Sequence, residues 1–142
     1  MNKNINRRLK TVPFIRSYTL PIQLGGLWDE NLFGISDWVW RDKKTSLFLF
    51  DKGSDRVEIF FYAVIGMKDI GAGAVRLIDA TTGNNAAIEG SEVVTEEIQP
   101  ILLKSDDLSD AISLGEKEFK IQTKCINSAG VIYSAGLLVK AK

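Results

Sequence analysis

The protein is 142 residues long and carries 18 basic and 18 acidic side chains, no histidine and one cysteine, Cys125. Its length fits one domain with a continuous core, and its balanced charge excludes a strongly basic nucleic-acid-binding protein. The lack of histidine excludes a Ser-His-Asp triad and His-ligated zinc, and a single cysteine excludes an intrachain disulfide. We therefore expect a protein that is not an enzyme; a pair of carboxylates is the catalytic alternative that remains.

The first twelve residues, MNKNINRRLKTV, are basic and contain no acid. They resemble the charged start of a signal peptide, but no long apolar segment follows them. We predict a flexible basic segment over residues 1–12 and a single β-sandwich domain over residues 13–142. No apolar run reaches the ~18 to 20 residues that cross a bilayer, so no membrane span is predicted.

From Phe14 onward, apolar and polar residues mostly alternate, which predicts β-strands. The first strand, in FIRSYTLPIQL, contains Pro21, which has no N–H for a ladder and favours a sheet edge. SDWVWR and TSLFLF follow, and then RVEIFFYAVIG, which is apolar on both sides. Such a strand is typical of a central position, or of a second face covered by a loop or another chain.

The second half of the chain predicts four or five further strands. GAGAVRLIDA and NAAIEGSEVV flank the turn TGNN, whose Gly and Asn tolerate positive φ. Pro100 favours an edge position or a break in EEIQPILLKS. DDLSDAISLGEKE is the one candidate for a helical turn, with Asp106 or Asp107 as its cap and Gly115 as its end. EFKIQTKC alternates regularly and turns Cys125 inward, and VIYSAGLLVKAK forms the last strand.

About eight strands separated by turns predict an all-β fold, an antiparallel two-sheet β-sandwich that is jelly-roll-like. Two local motifs carry a resemblance: RLIDATTG at Arg76 to Gly83, and EFKIQ at Glu118 to Gln122. Through them the stretch from Arg56 to Lys140 resembles small jelly-roll domains of the carbohydrate-binding-module and galactose-binding-like type. The resemblance implies a non-catalytic binding role in an extracellular setting, often with a structural Ca²⁺. No binding motif of these families matches, so no binding residue is carried over.

A ligand-binding site is predicted at Trp28, Trp38, Trp40, Asp37 and Arg41. Trp38 and Trp40 project from one face if DWVWR is a strand, and Trp28 lies in the preceding connection. Exposed indoles can stack a sugar ring, and the neighbouring charged side chains can hydrogen-bond its hydroxyls. The alternative is that both rings of the pair fill the core.

The remaining charged clusters have simpler explanations. DKGSD and SDDLSD lack the spacing of an EF-hand loop, so no motif supports a structural Ca²⁺, and we predict solvated turns and no cofactor. Lys120, Gln122 and Lys124, with Arg76 nearby, form a short basic strip that a solvated sheet face explains without nucleic acid.

These features predict a non-catalytic β-sandwich binding module with a carbohydrate as its ligand. The alternative is a structural or assembly protein in which Phe60, Tyr62 and Val64 pack against another copy, as in oligomeric jelly rolls of phage or cell-surface assemblies. An enzyme that uses carboxylates is the third interpretation. The compartment stays open, because no export signal is recognised whereas the resemblance implies export.

Overall fold

The structure is a computed structural model that describes residues 17–22, 32–34, 37–43 and 48–142. These ranges contain eleven strands and no helix. The strands are β1 Ser17–Pro21, β2 Leu32–Phe33, β3 Arg41–Asp42, β4 Phe48–Phe50, β5 Val57–Met67, β6 Ala72–Asp79, β7 Ala86–Ala87, β8 Val93–Thr95, β9 Ile101–Asp107, β10 Lys117–Ile126 and β11 Gly130–Ala141. The predicted segment 1–12, the domain start at residue 13 and Trp28 lie outside the described residues.

The strands form two antiparallel sheets. Sheet 1 has the order β1-β11-β5-β9, with β2 also on β11; sheet 2 has the order β3-β10-β6-β7, with β4 also on β10 and β8 also on β6. The short strands share positions: β3 and β4 pair with successive parts of one edge of β10, β7 and β8 do the same on β6, and β1 and β2 do the same on β11. The eleven strands therefore occupy eight positions, which confirms the predicted jelly-roll β-sandwich.

β5 shows why the two sheets face each other. Ile59, Phe61 and Ile65 have no exposed surface, because they point into the space between the sheets. Their neighbours Phe60 and Tyr62 are half-buried on the opposite, outer face of sheet 1. β5 lies between β11 and β9, so the prediction of a central strand with two apolar sides is confirmed.

The core lies between the sheets and receives alternate residues from each long strand. β10 contributes Phe119, Ile121 and Cys125, all fully buried, so the predicted inward orientation of Cys125 is confirmed. Burial of side chains of this size stabilises the fold by about 1.5–3 kcal/mol each. The largest fully buried side chains are Phe61, Phe119, Ile59, Ile65, Leu77, Ile78, Leu108, Ile121, Ile132, Leu137, Val75 and Cys125.

The edge strands follow the proline signals. β1, which ends at Pro21, is one end of the sheet 1 order, and β9, which starts directly after Pro100, is the other. The turn TGNN is also confirmed, since Gly83 has φ +79 and Asn85 has φ 50. No helix in the described ranges is long and apolar enough to span a membrane.

Side chains replace part of the ladder where β9 runs beside β5. The pairing register shifts between Phe60 and Tyr62. Beyond the shift, Ser105 Oγ accepts a hydrogen bond from the Phe61 N–H at 2.9 Å, and Asp107 Oδ1 accepts one from the Ile59 N–H at 3.0 Å. β9 thereby stays attached to β5 although its own backbone no longer pairs regularly.

The segment after β9 forms a turn, and the predicted helical turn does not extend into a helix. Asp107 Oδ1 accepts a hydrogen bond from the Ser109 N–H at 3.0 Å, which is the bond expected of a cap. The Leu108 carbonyl then accepts from the Ala111 and Ile112 N–H groups. Leu108 and Ile112 are both buried in the core, so packing holds the chain in a single turn.

We predict that the Asp107 carboxylate stabilises the folded state. Desolvation raises the pKa of its carboxyl, but the hydrogen bonds from the Ile59 and Ser109 N–H groups outweigh desolvation, so its pKa lies below its usual value. Asp107→Asn should lower the free energy of unfolding by about 1 kcal/mol at pH 7, the low end for a charged acceptor because this carboxylate is largely exposed. Urea unfolding measures the change, and Asp106→Asn, at the adjacent exposed residue, is the control.

The same change should depend on pH. A carboxyl whose pKa is lower in the folded state stabilises the fold above its unfolded pKa of about 3.9, and that stabilisation is lost as the pH falls through the folded pKa. The difference between Asp107→Asn and the parent chain should therefore shrink below about pH 4. Equal unfolding midpoints at pH 7 would contradict this role of Asp107.

Candidate functional site

The outer face of sheet 2 carries the polar side chains that alternate with the core residues of β10 and β6. Lys120, Gln122 and Lys124 point outward from β10, and Arg76, opposite Gln122 in the register, points outward from β6. Ala74 and Ile78 on β6 are also fully buried but lie outside the core cluster between the sheets. This face is therefore covered, and its covering includes aromatic side chains.

Trp38 and Trp40 lie on this outer face, although the strand predicted over DWVWR does not form. Asp37 and Trp38 have φ values of 52° and 63°, which places them in a turn, and β3 starts only at Arg41. The Trp38 N–H donates a hydrogen bond to the Cys125 carbonyl at 2.9 Å, which ties the turn to the end of β10. The expectation of a strand was wrong because the turn satisfies its backbone groups against β10.

The two indoles meet over one lysine. Lys124 Nζ lies 4.4 Å from the ring centroid of Trp38 and 4.5 Å from that of Trp40. Arg76 Cζ lies 4.3 Å from the Trp40 centroid. Contacts of this kind contribute about 0.5–2 kcal/mol each, more when the cation is desolvated. We call Trp38, Trp40, Arg76 and Lys124 the aromatic–cation cluster.

A hydrogen-bond network connects the cluster to β3. Arg76 Nε and Nη2 donate to Gln122 Oε1 at 3.0 and 2.7 Å, and Gln122 Nε2 donates to Asp42 Oδ1 at 2.9 Å. Lys120 Nζ donates to Asp42 Oδ2 at 3.1 Å. These bonds, from Gln122 first and then Lys120, hold the pKa of Asp42 below its usual value. Asp42 is therefore an anion at neutral pH and holds Gln122 against Arg76.

Arg76 and Lys124 are both half-buried cations, and both interact with the Glu92 carboxylate. Desolvation lowers the pKa of Arg76, whereas the Glu92 carboxylate raises it, and the guanidinium remains a cation at neutral pH. Glu92 also pairs with Lys124 Nζ at 3.4 Å. The cations of the cluster are thus partly neutralised, and the face is a mixed surface rather than a strongly basic one.

The structure brings together only part of the predicted site. Trp38 is 37% exposed and Trp40 is half-buried, and neither belongs to the core, so the core alternative is wrong for both rings. Asp37 is exposed in the same turn. Arg41 pairs with Thr123, whose side chain is buried, so by register Arg41 lies on the other side of β3 from the cluster.

Sequence reasoning did not assign the partners that hold the indoles. The sequence predicts that Arg76, Gln122 and Lys124 belong to a basic strip. It does not connect Asp42 and Glu92 to that strip. The signal was present in the alternation of β10, which places every second polar side chain on one face. It could not show that a turn 80 or more residues earlier would cover that face.

The outer face of sheet 1 has a different character, because it is mainly apolar. Its centre is a groove of about 350 Å³ that we call the sheet 1 groove. Within the described part of the chain, Lys104 is the one charged side chain in its lining, and the lining residues there are Thr19, Tyr62, Val64, Leu102, Lys104, Ser134 and Leu138. Leu102 is 65% exposed. The groove therefore presents apolar surface to solvent at the middle of a sheet.

Two details fix the shape of the groove. A Cβ on Gly136 would lie 2.6 Å from the Tyr62 hydroxyl and 2.6 Å from the Leu20 carbonyl, so only glycine lets the phenol ring lie across β11. Desolvation raises the pKa of Tyr62 accordingly. Beside the groove, Lys104 Nζ lies 4.4 Å and Lys140 Nζ 5.6 Å from the Phe60 ring centroid. The apolar floor is bordered by lysines.

Neither acidic cluster forms a metal site in the part of the chain that the structure describes, since no group of three or more metal-ligating side chains is brought together there. Asp51 Oδ1 instead accepts a hydrogen bond from the Gly53 N–H at 2.8 Å, and Asp55 pairs with Lys52 at 2.9 Å. Lys52 Nζ also donates to the Ser109 carbonyl at 2.8 Å. These acids stabilise turns.

No family model matches the sequence, and no curated protein matches it. A chain in the structure of infectious bursal disease virus, Gt strain, superimposes with a TM-score of 0.56 over 89% of this chain and 32% of its own length, at 8% identity. A chain of the subviral particle of that virus gives 0.47 over 89% and 32% at 12% identity. A chain of the Glycosylation Associate Protein complex from Streptococcus agalactiae gives 0.40 over 99% and 29% at 12% identity.

These likenesses concern the fold alone, because the identities are low. The first supports the two-sheet architecture described above, and the other two carry no argument. The protein spans about a third of the length of the virus chain that it matches, 32%.

Proposed function

We propose that the protein is a structural jelly roll that assembles with further copies of itself through the outer face of sheet 1. The observation that carries the proposal is the apolar sheet 1 groove, with Tyr62, Val64 and Leu138 in its lining and Leu102 65% exposed beside them. An antiparallel sheet with one free face normally alternates apolar and polar residues, whereas β5 is apolar on both sides. Contiguous apolar surface of this kind is typical of a contact surface.

The fold likeness supports the same role. Jelly rolls build viral capsids, and the matched chain with the TM-score of 0.56 comes from the structure of a virus. A building block needs no catalytic group, which agrees with a chain that contains no histidine.

A carbohydrate-binding function is the second candidate, and one observation favours it. Trp38 is 37% exposed on the outer face of sheet 2, beside Trp40 and the hydrogen-bonding side chains of Asp42 and Gln122. A sugar could stack on the free part of the Trp38 indole. Against this, Lys124 already lies over both rings, so the stacking surface is smaller than that of a bare aromatic platform.

Assembly predicts a concentration-dependent oligomer. Sedimentation velocity of the parent chain should show species larger than the 15.7 kDa monomer. Leu102→Asp should weaken self-association by about tenfold or more, because it places a carboxylate in the groove, while its exposure spares the fold. Leu49→Asp changes a leucine that is 55% exposed on β4 of the other sheet and serves as the control. A parent chain that stays monomeric at every concentration would refute the assembly role.

Carbohydrate binding predicts a glycan that quenches or shifts tryptophan fluorescence. Trp38→Ala should abolish that response and lower the thermal midpoint by only a few degrees, because the ring is partly exposed and its contact with Lys124 contributes about 0.5–2 kcal/mol. Ile98→Ala, at a residue that is 50% exposed and far from the indoles in sequence, is the control. If no member of a broad glycan panel changes the fluorescence, the second candidate is eliminated and the assembly proposal is unaffected.

A further inference from the structure

The tip of the connection between β5 in sheet 1 and β6 in sheet 2, residues 68–71, exposes one large apolar side chain. Ile70 is 81% exposed, the highest value among the exposed large apolar residues of the described ranges. Burying an isoleucine side chain is worth about 1.5–3 kcal/mol. A fully presented isoleucine is therefore a candidate anchor for a partner.

Hydrogen bonds tie the backbone of the tip to its neighbours. The Ile70 N–H donates to Asp69 Oδ1 at 2.8 Å, and the Asp69 N–H donates to Ser128 Oγ at 2.9 Å. The Lys68 N–H donates to the Ala129 carbonyl at 2.9 Å. The bonds of Lys68 and Asp69 fasten the tip to the β10–β11 turn, so less backbone freedom is lost on binding than in a loop without such bonds.

The surroundings of Ile70 are acidic. Glu96 lines the recess of about 400 Å³ beside Ile70, and Glu97 is adjacent to the tip because its carbonyl accepts from the Met67 N–H at 2.8 Å. With Asp69, three acids stand against one base, Lys68, within residues 67–72 and 96–97. The tip is thus an apolar anchor with net negative charge around it.

The sheet 1 groove has the complementary character. Among the described residues its lining is mainly apolar, with Lys104 as the charged side chain, and Lys104 and Lys140 both lie near the Phe60 ring. The tip of the same molecule is at the far end of β5: Ile70 is eight residues from Tyr62, and each strand residue advances the chain by about 3.3 Å. Another copy must therefore supply the anchor.

We infer that Ile70 of one copy inserts into the sheet 1 groove of the next copy, with the acidic tip of the β5–β6 connection facing Lys104. This inference rests on the proposed assembly function and specifies its geometry. The contact joins two different surfaces, so it is heterologous, and repetition gives a closed ring or a filament.

Mixing two variants tests the geometry. Ile70→Asp removes the anchor but leaves the groove, and Leu102→Asp blocks the groove but leaves the anchor. Each variant alone should be monomeric, with association weakened tenfold or more. In an equimolar mixture, Ile70 of the Leu102→Asp variant should bind the intact groove of the Ile70→Asp variant. No other such contact can form. Sedimentation should then show a species of two chains, twice the 15.7 kDa monomer, and nothing larger.

A charge exchange tests the same contact independently. Lys104→Glu should weaken association of the full chain, and adding Glu96→Lys to it should restore at least part of the loss, because the opposite charges meet again. Far-ultraviolet circular dichroism of every variant checks the fold, which these exposed positions should not disturb.

Three outcomes separate the claims. If Ile70→Asp assembles like the parent chain while Leu102→Asp does not, the inference is wrong and the proposed assembly through sheet 1 stands. If both variants are monomeric but their mixture forms no two-chain species, the heterologous geometry is equally wrong. If the parent chain itself is monomeric, the proposed assembly function is wrong, and the inferred contact is wrong with it.

Discussion

The structure depends on the strict alternation of side chains in β5 and on its central place in sheet 1. One set, including Phe61 and Ile65, fills the space between the sheets without any exposed surface. The other set, including Phe60 and Tyr62, must then lie on the outer face, because successive side chains of a strand point to opposite sides. A one-residue shift of β5 would exchange the two sets. The apolar outer face is thus a direct consequence of the register that builds the core.

The two outer faces of the sandwich differ in the side chains that lie on them. On sheet 2, a turn at residues 37–40 places two indoles over Lys124 and Arg76, and Asp42 and Glu92 supply the opposite charge. On sheet 1, the lysines beside Phe60 border an apolar groove that remains accessible in the described part of the chain. The more open of the two faces is the one that we propose as the contact surface.

Much of the fold could be predicted from the sequence, because local alternation is strong in β5, β10 and β11. The edge strands followed from Pro21 and Pro100, each of which lacks a donor for the ladder. The candidate site was predicted less well. Positive φ at Asp37 and Trp38 has no glycine to announce it, and the bonds from Gln122 to Asp42 and from Arg76 to Gln122 join residues that are 80 and 46 positions apart. Such long-range pairs depend on the strand order of the complete sheets.

The central claim is that the outer face of sheet 1 becomes buried when copies of the chain associate. Hydroxyl-radical footprinting of the chain at low and high concentration measures this burial residue by residue. The account predicts that Tyr62 and Leu102 become protected as the chain associates, whereas Trp38 on the other sheet keeps its reactivity. Association that protects Trp38 and leaves Tyr62 and Leu102 equally reactive would contradict it.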